Sequence, residues 1–225
     1  MSIAMANPHP LGAEEHLVLY GIDYDAYVTI NDALGDRHAV RLTYVDRRLT
    51  LLKPSRRHLW YAYRLTELVR TVAIAMGIDC ERAGSSTYRT SEDEVGVEGD
   101  ETFYFGVHAE PMRGPVNIDL STQPPPDLAI QVEVTLPADD AILVYGQLGV
   151  PEVWRLDVNS WTLTFCIRLE DGSYAGSSRG LALPWLEAAE ILAQIRLAED
   201  LGASNWYAHI NEWARVTILP RMAEG

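Results

Sequence analysis

A chain of 225 residues with 48% hydrophobic side chains can bury a substantial core and is read as a single globular domain. Its formal charge of −14 argues against unassisted, non-specific attraction to a polyanion, and no apolar run reaches the length of a membrane span. No basic start followed by an apolar block opens the sequence, and Cys80 and Cys166 form no metal-ligand spacing, so a reduced, cytoplasmic setting is expected.

Residues 1–20 read as a flexible N-terminal arm, residues 21–185 as the main domain, and residues 186–225 as a helical extension packed on it. Residues 24–34 predict a short helix with Asp23 or Asp25 as its cap. Over 39–45, Val40, Leu42 and Tyr44 alternate with Arg41 and Thr43, a strand pattern. Asp46 and Arg47 turn the chain, and residues 48–52 return as the second arm of a hairpin. Pro54 and Ser55 end it. Leu65, Leu68, Val69, Val72 and Met76 then form one face of a helix over 58–76, which Gly77 stops.

Charge is distributed unevenly. Between positions 37 and 70 lie nine basic residues, among them Arg56, Arg57 and Arg64, against only Asp46 and Glu67. A local basic face on an acidic body is compatible with nucleic-acid contact, and equally with a plain solvated surface.

Beyond a possible strand near Tyr88, residues 91–100 read as an acidic loop leading into a strand over 102–107. A triple proline precedes the next strand, 127–135, whose apolar run carries Gln131 and Glu133 two apart and therefore on one face. Such a carboxylate in an interior strand needs a cation or donors, which points to a site; an edge strand with a polar solvent face gives the same alternation. With Glu98 and Asp100 just before the neighbouring strand, two strands would bring oxygen ligands together, as a Mg²⁺ or Mn²⁺ site requires. A short helix over 138–148, a strand pair around residues 157–160, and two helices beyond Trp185 complete a mixed α/β (α+β) layered domain.

Three ordered stretches, 97–105, 125–135 and the string from Tyr145 through Gly149-Val150-Pro151-Glu152-Val153-Trp154-Arg155, resemble the Uma-two family of restriction-endonuclease-like proteins. Residues 40–44, 52–58 and 84–88 agree as well, so the similarity runs from about Gly21 to Trp185. The resemblance implies a restriction-endonuclease-like core, a central mixed β-sheet flanked by helices, often dimeric. It also implies DNA as substrate and Mg²⁺ (or Mn²⁺) held by Asp100 and Glu133, with Glu98 beside them and Gln131 as an auxiliary group. Arg56, Arg57, Arg64 and Arg89 are the expected nucleic-acid contacts, and Asp127, opening the central strand, has a structural part.

Three positions depart from the family pattern. Gln131 replaces the first acid of the central strand, Leu59 replaces a glutamate after His58, and Ala141 stands where a lysine or arginine is common. The only lysine of the chain, Lys53, sits at a strand end. Two functions follow as expectations: a Mg²⁺-dependent DNA endonuclease with a weakened site, or a catalytically inactive descendant binding nucleic acid or a protein partner in the same cleft. A purely structural or dimer-forming role has only Trp206 and Trp213 as a hint.

Overall fold

The alternating and helical apolar patterns resolve into two β-sheets with helices on their outer faces and one short helix between them. The computed structural model describes residues 14–35, 39–114 and 118–224. The first sheet has five antiparallel strands in the order β1 (Glu15–Tyr20), β3 (Arg48–Lys53), β2 (Arg41–Val45), β6 (Val95–Glu98), β5 (Thr87–Thr90). The second has six strands in the order β11 (Tyr174–Ser177), β10 (Thr162–Arg168), β9 (Glu152–Asp157), β8 (Leu128–Glu133), β7 (Glu101–Phe105), β4 (Cys80–Arg82). It is mixed, because β8 and β9 run parallel while its other pairs are antiparallel.

Local chemistry explains most boundaries. Helix α1 (Tyr24–Leu34) starts where the Asp23 carboxylate accepts from the Ala26 N–H. The turn between β2 and β3 places Asp46 and Arg47 at φ of 49° and 59°, the left-handed pair that a two-residue hairpin demands. Ser55 caps α2 (Arg56–Ala75) by accepting from His58 N–H, and Gly77, at φ 65°, stops it.

Strand β8 is an interior strand, buried along its whole length between β7 and β9, so the edge-strand reading of its alternation falls. Leu128, Ile130 and Val132 face α2, α4 (Ala188–Asp200) and α5 (Ala203–Trp213), where Leu65, Leu68, Val72, Ile191, Ile195, Trp206 and Ile210 complete the larger core. Ala129 faces the other way, against Val144 and Tyr145 of α3 (Asp139–Gln147), Leu148 at its end, and Val95 and Val97 of the five-stranded sheet. Beyond that sheet a third cluster, Leu42, Tyr44 and Leu49, packs on Tyr27 of α1, with the Tyr27 and Tyr44 rings stacked 4.7 Å apart. A π-type turn over Ala214–Ile218 joins α5 to α6 (Leu219–Glu224).

The structure departs from the sequence reading in four places. Residues 15–20, assigned to a flexible arm, form β1 and pair with all of β3; residues 1–13 lie outside the described residues, as does Arg37. The acidic loop is shorter than expected, since 95–98 form β6 and hairpin back on β5. Strands β4 and β11 are only three and four residues long, too short for a period to register. A second sheet joins the expected central one.

The string at 149–155 has an architectural explanation. Glu152 is fully buried, and its carboxylate accepts from Trp154 Nε1 (2.7 Å), Leu181 N–H (2.8 Å) and Ala182 N–H (2.6 Å). Three donors meet a charge that burial alone would penalise. They strap the segment after β11 against the mixed sheet.

Candidate functional site

Where β8 ends, α3 begins and the inner face of the five-stranded sheet passes over both, a pocket of about 320 Å³ opens. Glu98, Asp100 and Gln131 all line it, so the structure brings together three of the four residues expected at the site. Ala141 lines it as well. Glu133 follows Gln131 on the same face but is not among the lining residues. Its carboxylate turns to Arg155 on β9, accepting from Nε at 2.7 Å, and also takes the Ala138 N–H at the start of α3. Arg155 bridges onward to Asp139 (2.9 Å).

Asp100 is buried, and both its oxygens are engaged. Oδ2 accepts from the Val132 N–H of β8 at 2.8 Å, which holds the acid against the central strand. Oδ1 lies 2.6 Å from His58 Nε2, and His58 Nδ1 lies 2.6 Å from Glu14 Oε1. Glu14 in turn accepts from the Thr135 N–H (3.0 Å) and from its hydroxyl. Burial pulls the His58 imidazole down, but the two carboxylates raise it further, to about 9, so at neutral pH it is an imidazolium between two acids. Burial pushes Glu14 up, and its bonds to His58 and Thr135 outweigh that and lower it. Neither His58 nor Glu14 is among the site residues the sequence predicts. Glu14 reaches the site from 44 positions away in the chain, and no local pattern records that.

Glu98 is buried too; its Oε2 accepts from the Leu42 N–H (3.2 Å) and its Oε1 from the Thr87 hydroxyl (2.9 Å). The Gln131 amide donates to the Tyr145 hydroxyl at 3.2 Å. That hydroxyl sits over Gly99, where a Cβ would come within 2.1 Å of it. The glycine between the two acids is therefore what lets Tyr145 reach Gln131.

The residues present do not fit a divalent cation of the kind the family resemblance implies. Such an ion wants several charged oxygens converging with free lone pairs. Here Asp100 is committed to His58 and β8, Glu133 to Arg155, and Gln131 is neutral. Among the described residues no group of three His, Cys, Asp or Glu side chains could hold a metal. Lys53 is exposed at the end of β3 and paired with Glu15 (3.1 Å).

The expected nucleic-acid contacts separate into three kinds. Arg56 and Arg57 are exposed on the first turn of α2, a position that can meet a phosphate. Arg89 is partly buried and paired with Asp32 (2.9 Å). Arg64 is a correction: only 7% exposed, its guanidinium lies 4.7 Å from the Trp206 ring and 5.1 Å from that of Trp60. It joins α2 to α5 through cation–π contact and cannot reach a phosphate. Asp127 is structural, accepting from Phe105 N–H (2.7 Å) with His108 on its other oxygen (2.7 Å). Leu59, where the resemblance implies a glutamate, is 46% exposed.

Residues 24–199 match the Uma2 family, described as "Putative restriction endonuclease", and the chain belongs to that family. A solved structure from Anabaena variabilis ATCC 29413, described as "a putative nuclease belonging to DUF820", is similar at 11% identity. The similarity covers 86% of this chain and 99% of that one, with a TM-score of 0.49. Among curated proteins nothing matches. No helix among the described residues is long and apolar enough to cross a membrane.

Proposed function

We propose that this member of the family binds nucleic acid at the pocket between its two sheets and has exchanged the cation-dependent cleavage centre for an internal network of ion pairs. The observation that carries the reading is the engagement of Asp100 on both oxygens, by His58 and by the Val132 N–H. Gln131 and the Arg155-bound Glu133 support it, because each removes a negative charge that a Mg²⁺ or Mn²⁺ ion would need. Nucleic acid remains the favoured ligand class on family grounds and through the exposed Arg56 and Arg57. A homodimer, expected from the resemblance, is checked by light scattering on the same preparation.

The test is titration of the purified protein with Mn²⁺, followed by incubation with plasmid and oligonucleotide DNA in Mg²⁺ and in Mn²⁺. The expected result is no saturable cation binding and no cleavage, with DNA retention that falls steeply as salt rises. Brisk cutting by the wild type, abolished by Asp100→Ala, would overturn the reading in favour of an active Mg²⁺-dependent endonuclease.

A further inference from the structure

The inner wall of the pocket is one face of the five-stranded sheet, and strand register fixes what stands on it. Arg41 pairs with Leu52, Thr43 with Thr50, and Thr50 with Val18, while Tyr20 pairs with Arg48. Paired residues and their second neighbours share a face, so all of these side chains look into the same space. The intervening residues Leu42, Tyr44 and Leu49 turn outward to α1. The apolar face of the hairpin is thus spent on the core, and its polar face lines the pocket.

The cations around this space are mostly spoken for. Arg48 donates its Nε to Asp140 at 2.9 Å, Arg155 holds Glu133 and Asp139, and the His58 imidazolium lies between Glu14 and Asp100. Arg41 differs. Its Nε is buried and meets no acceptor among the described residues. A buried donor on a permanently charged group is costly to leave unmet, and a ligand oxyanion is the acceptor that suits a guanidinium best. Beside it stand the Thr43 and Thr50 hydroxyls, cross-strand partners one step along the same face.

At the far end of the wall is Tyr20, 76% exposed, an aromatic ring at the mouth of the pocket. The row holding Arg41 and Leu52 is four residues from the row holding Arg48 and Tyr20, about 13 Å along the strands, and Tyr20 stands two strands across from Arg41, so the two Cα positions are roughly 16 Å apart. With an arginine arm and a tyrosine ring reaching in from its two ends, that separation leaves the length of a nucleotide between them. Val18, Leu52, Leu136 and Pro137 supply apolar walls between, and a space of about 320 Å³ suits one such unit.

From this we propose that the pocket is a single-nucleotide site: Arg41 with Thr43 and Thr50 receives a phosphate, and Tyr20 stacks on the base. It deepens the nucleic-acid reading and rests on it for the ligand class alone, since the geometry of the wall requires no cleavage. The shared chemistry is a phosphomonoester carrying a planar base, whether a free mononucleotide or the phosphorylated end of a strand.

The experiment is calorimetric titration in EDTA with inorganic phosphate, a 5′-mononucleotide, and a short single strand with and without a 5′-phosphate. Saturable binding of the mononucleotide is expected. Arg41→Gln should weaken it by about tenfold or more, as loss of a charge-assisted contact does. Tyr20→Ala, on an exposed ring whose loss leaves the fold intact, should weaken the nucleotide several-fold but leave inorganic phosphate unchanged. Arg41→Lys keeps the charge without the fork and should fall between. Tighter binding of the 5′-phosphorylated strand than of the mononucleotide assigns the site to strand ends; the reverse order assigns it to free nucleotides. If the mononucleotide does not bind, or if folded Arg41→Gln binds it like the wild type, the site is refuted. Salt-dependent strand retention without any mononucleotide binding would refute this inference while leaving the proposed function standing.

Discussion

His58 Nε2 lies 2.6 Å from Oδ1 of Asp100, an acid that lines the pocket, and both side chains are almost wholly buried. The pair, with Glu14 on the other side of the ring, makes an acid–imidazolium–acid chain with two carboxylates sharing one cation, the remaining negative charge being met by neutral donors. Desolvating three charged groups is tolerable only because each meets the next at hydrogen-bond distance and the outer carboxylates also take donors from Val132 and Thr135.

Stability should therefore depend on alkaline pH. The His58 pKa is raised from 6.5 to about 9, so its contribution is fully present below about pH 6.5 and disappears as pH rises through 9. The upper bound is about 3 kcal/mol, from the size of the shift. On the acid side Glu14, whose pKa is lowered from 4.5, contributes above that value and loses its share as pH falls through its folded pKa. Urea unfolding of the wild type from pH 5 to pH 10 should show the alkaline loss, and His58→Gln should remove most of that slope. An alkaline slope unchanged in His58→Gln would assign it to other groups.

Gln131→Glu should create cation affinity where the wild type has little. The new carboxylate would stand in the same pocket as Asp100 and Glu98, raising local negative charge at a position where Tyr145 already supplies a hydroxyl. Adding Arg155→Gln, which releases Glu133, should tighten Mn²⁺ further. Calorimetric titration reads both steps, and equal affinity in wild type and Gln131→Glu would contradict the account of the missing charge.

Gly99→Ala should destabilise the protein by about 1–3 kcal/mol, the usual cost of forcing extra volume into a packed site. The added methyl would collide with the Tyr145 hydroxyl, so Tyr145→Phe in the same chain should recover much of the loss. A double-mutant cycle by thermal or urea unfolding measures the coupling.

Arg64→Ala should cost stability, about 1–3 kcal/mol through lost cation–π contact and packing, without altering the salt dependence of DNA retention. Arg56→Ala and Arg57→Ala should do the reverse, each lowering the salt slope by roughly one per phosphate contact removed. The contrast follows from exposure, since Arg64 is enclosed by the rings of Trp60 and Trp206 while its two neighbours are open to solvent.

Much of the scaffold was legible because it depends on short-range chemistry. The Asp23 and Ser55 caps, the turn at Asp46-Arg47 and the apolar stripe of α2 are all written within a few residues of where they act. The same holds for Gln131 and Glu133, whose shared face follows from strand period alone. What was not legible depends on long-range partners. Strand β1 exists because β3 receives it, and Glu14 acts because α2 and the end of β8 meet it there. Arg64 looked like one more member of a basic run, because nothing local says that α5 will close over it. Arg155 likewise gave no sign that it would withdraw Glu133 from the pocket.

The carboxylate at position 152 has a consequence for how this chain is read. Its three acceptor bonds tether a connecting segment to the sheet and touch nothing in the pocket. At Glu152 the most recognisable string of the sequence thus serves assembly, while three residues on, at Arg155, the same string reaches the acid at the end of β8. One end of the string thus ties the polypeptide together and the other end occupies Glu133, so whether the chain cuts turns on residues 100, 131, 133 and 155 together.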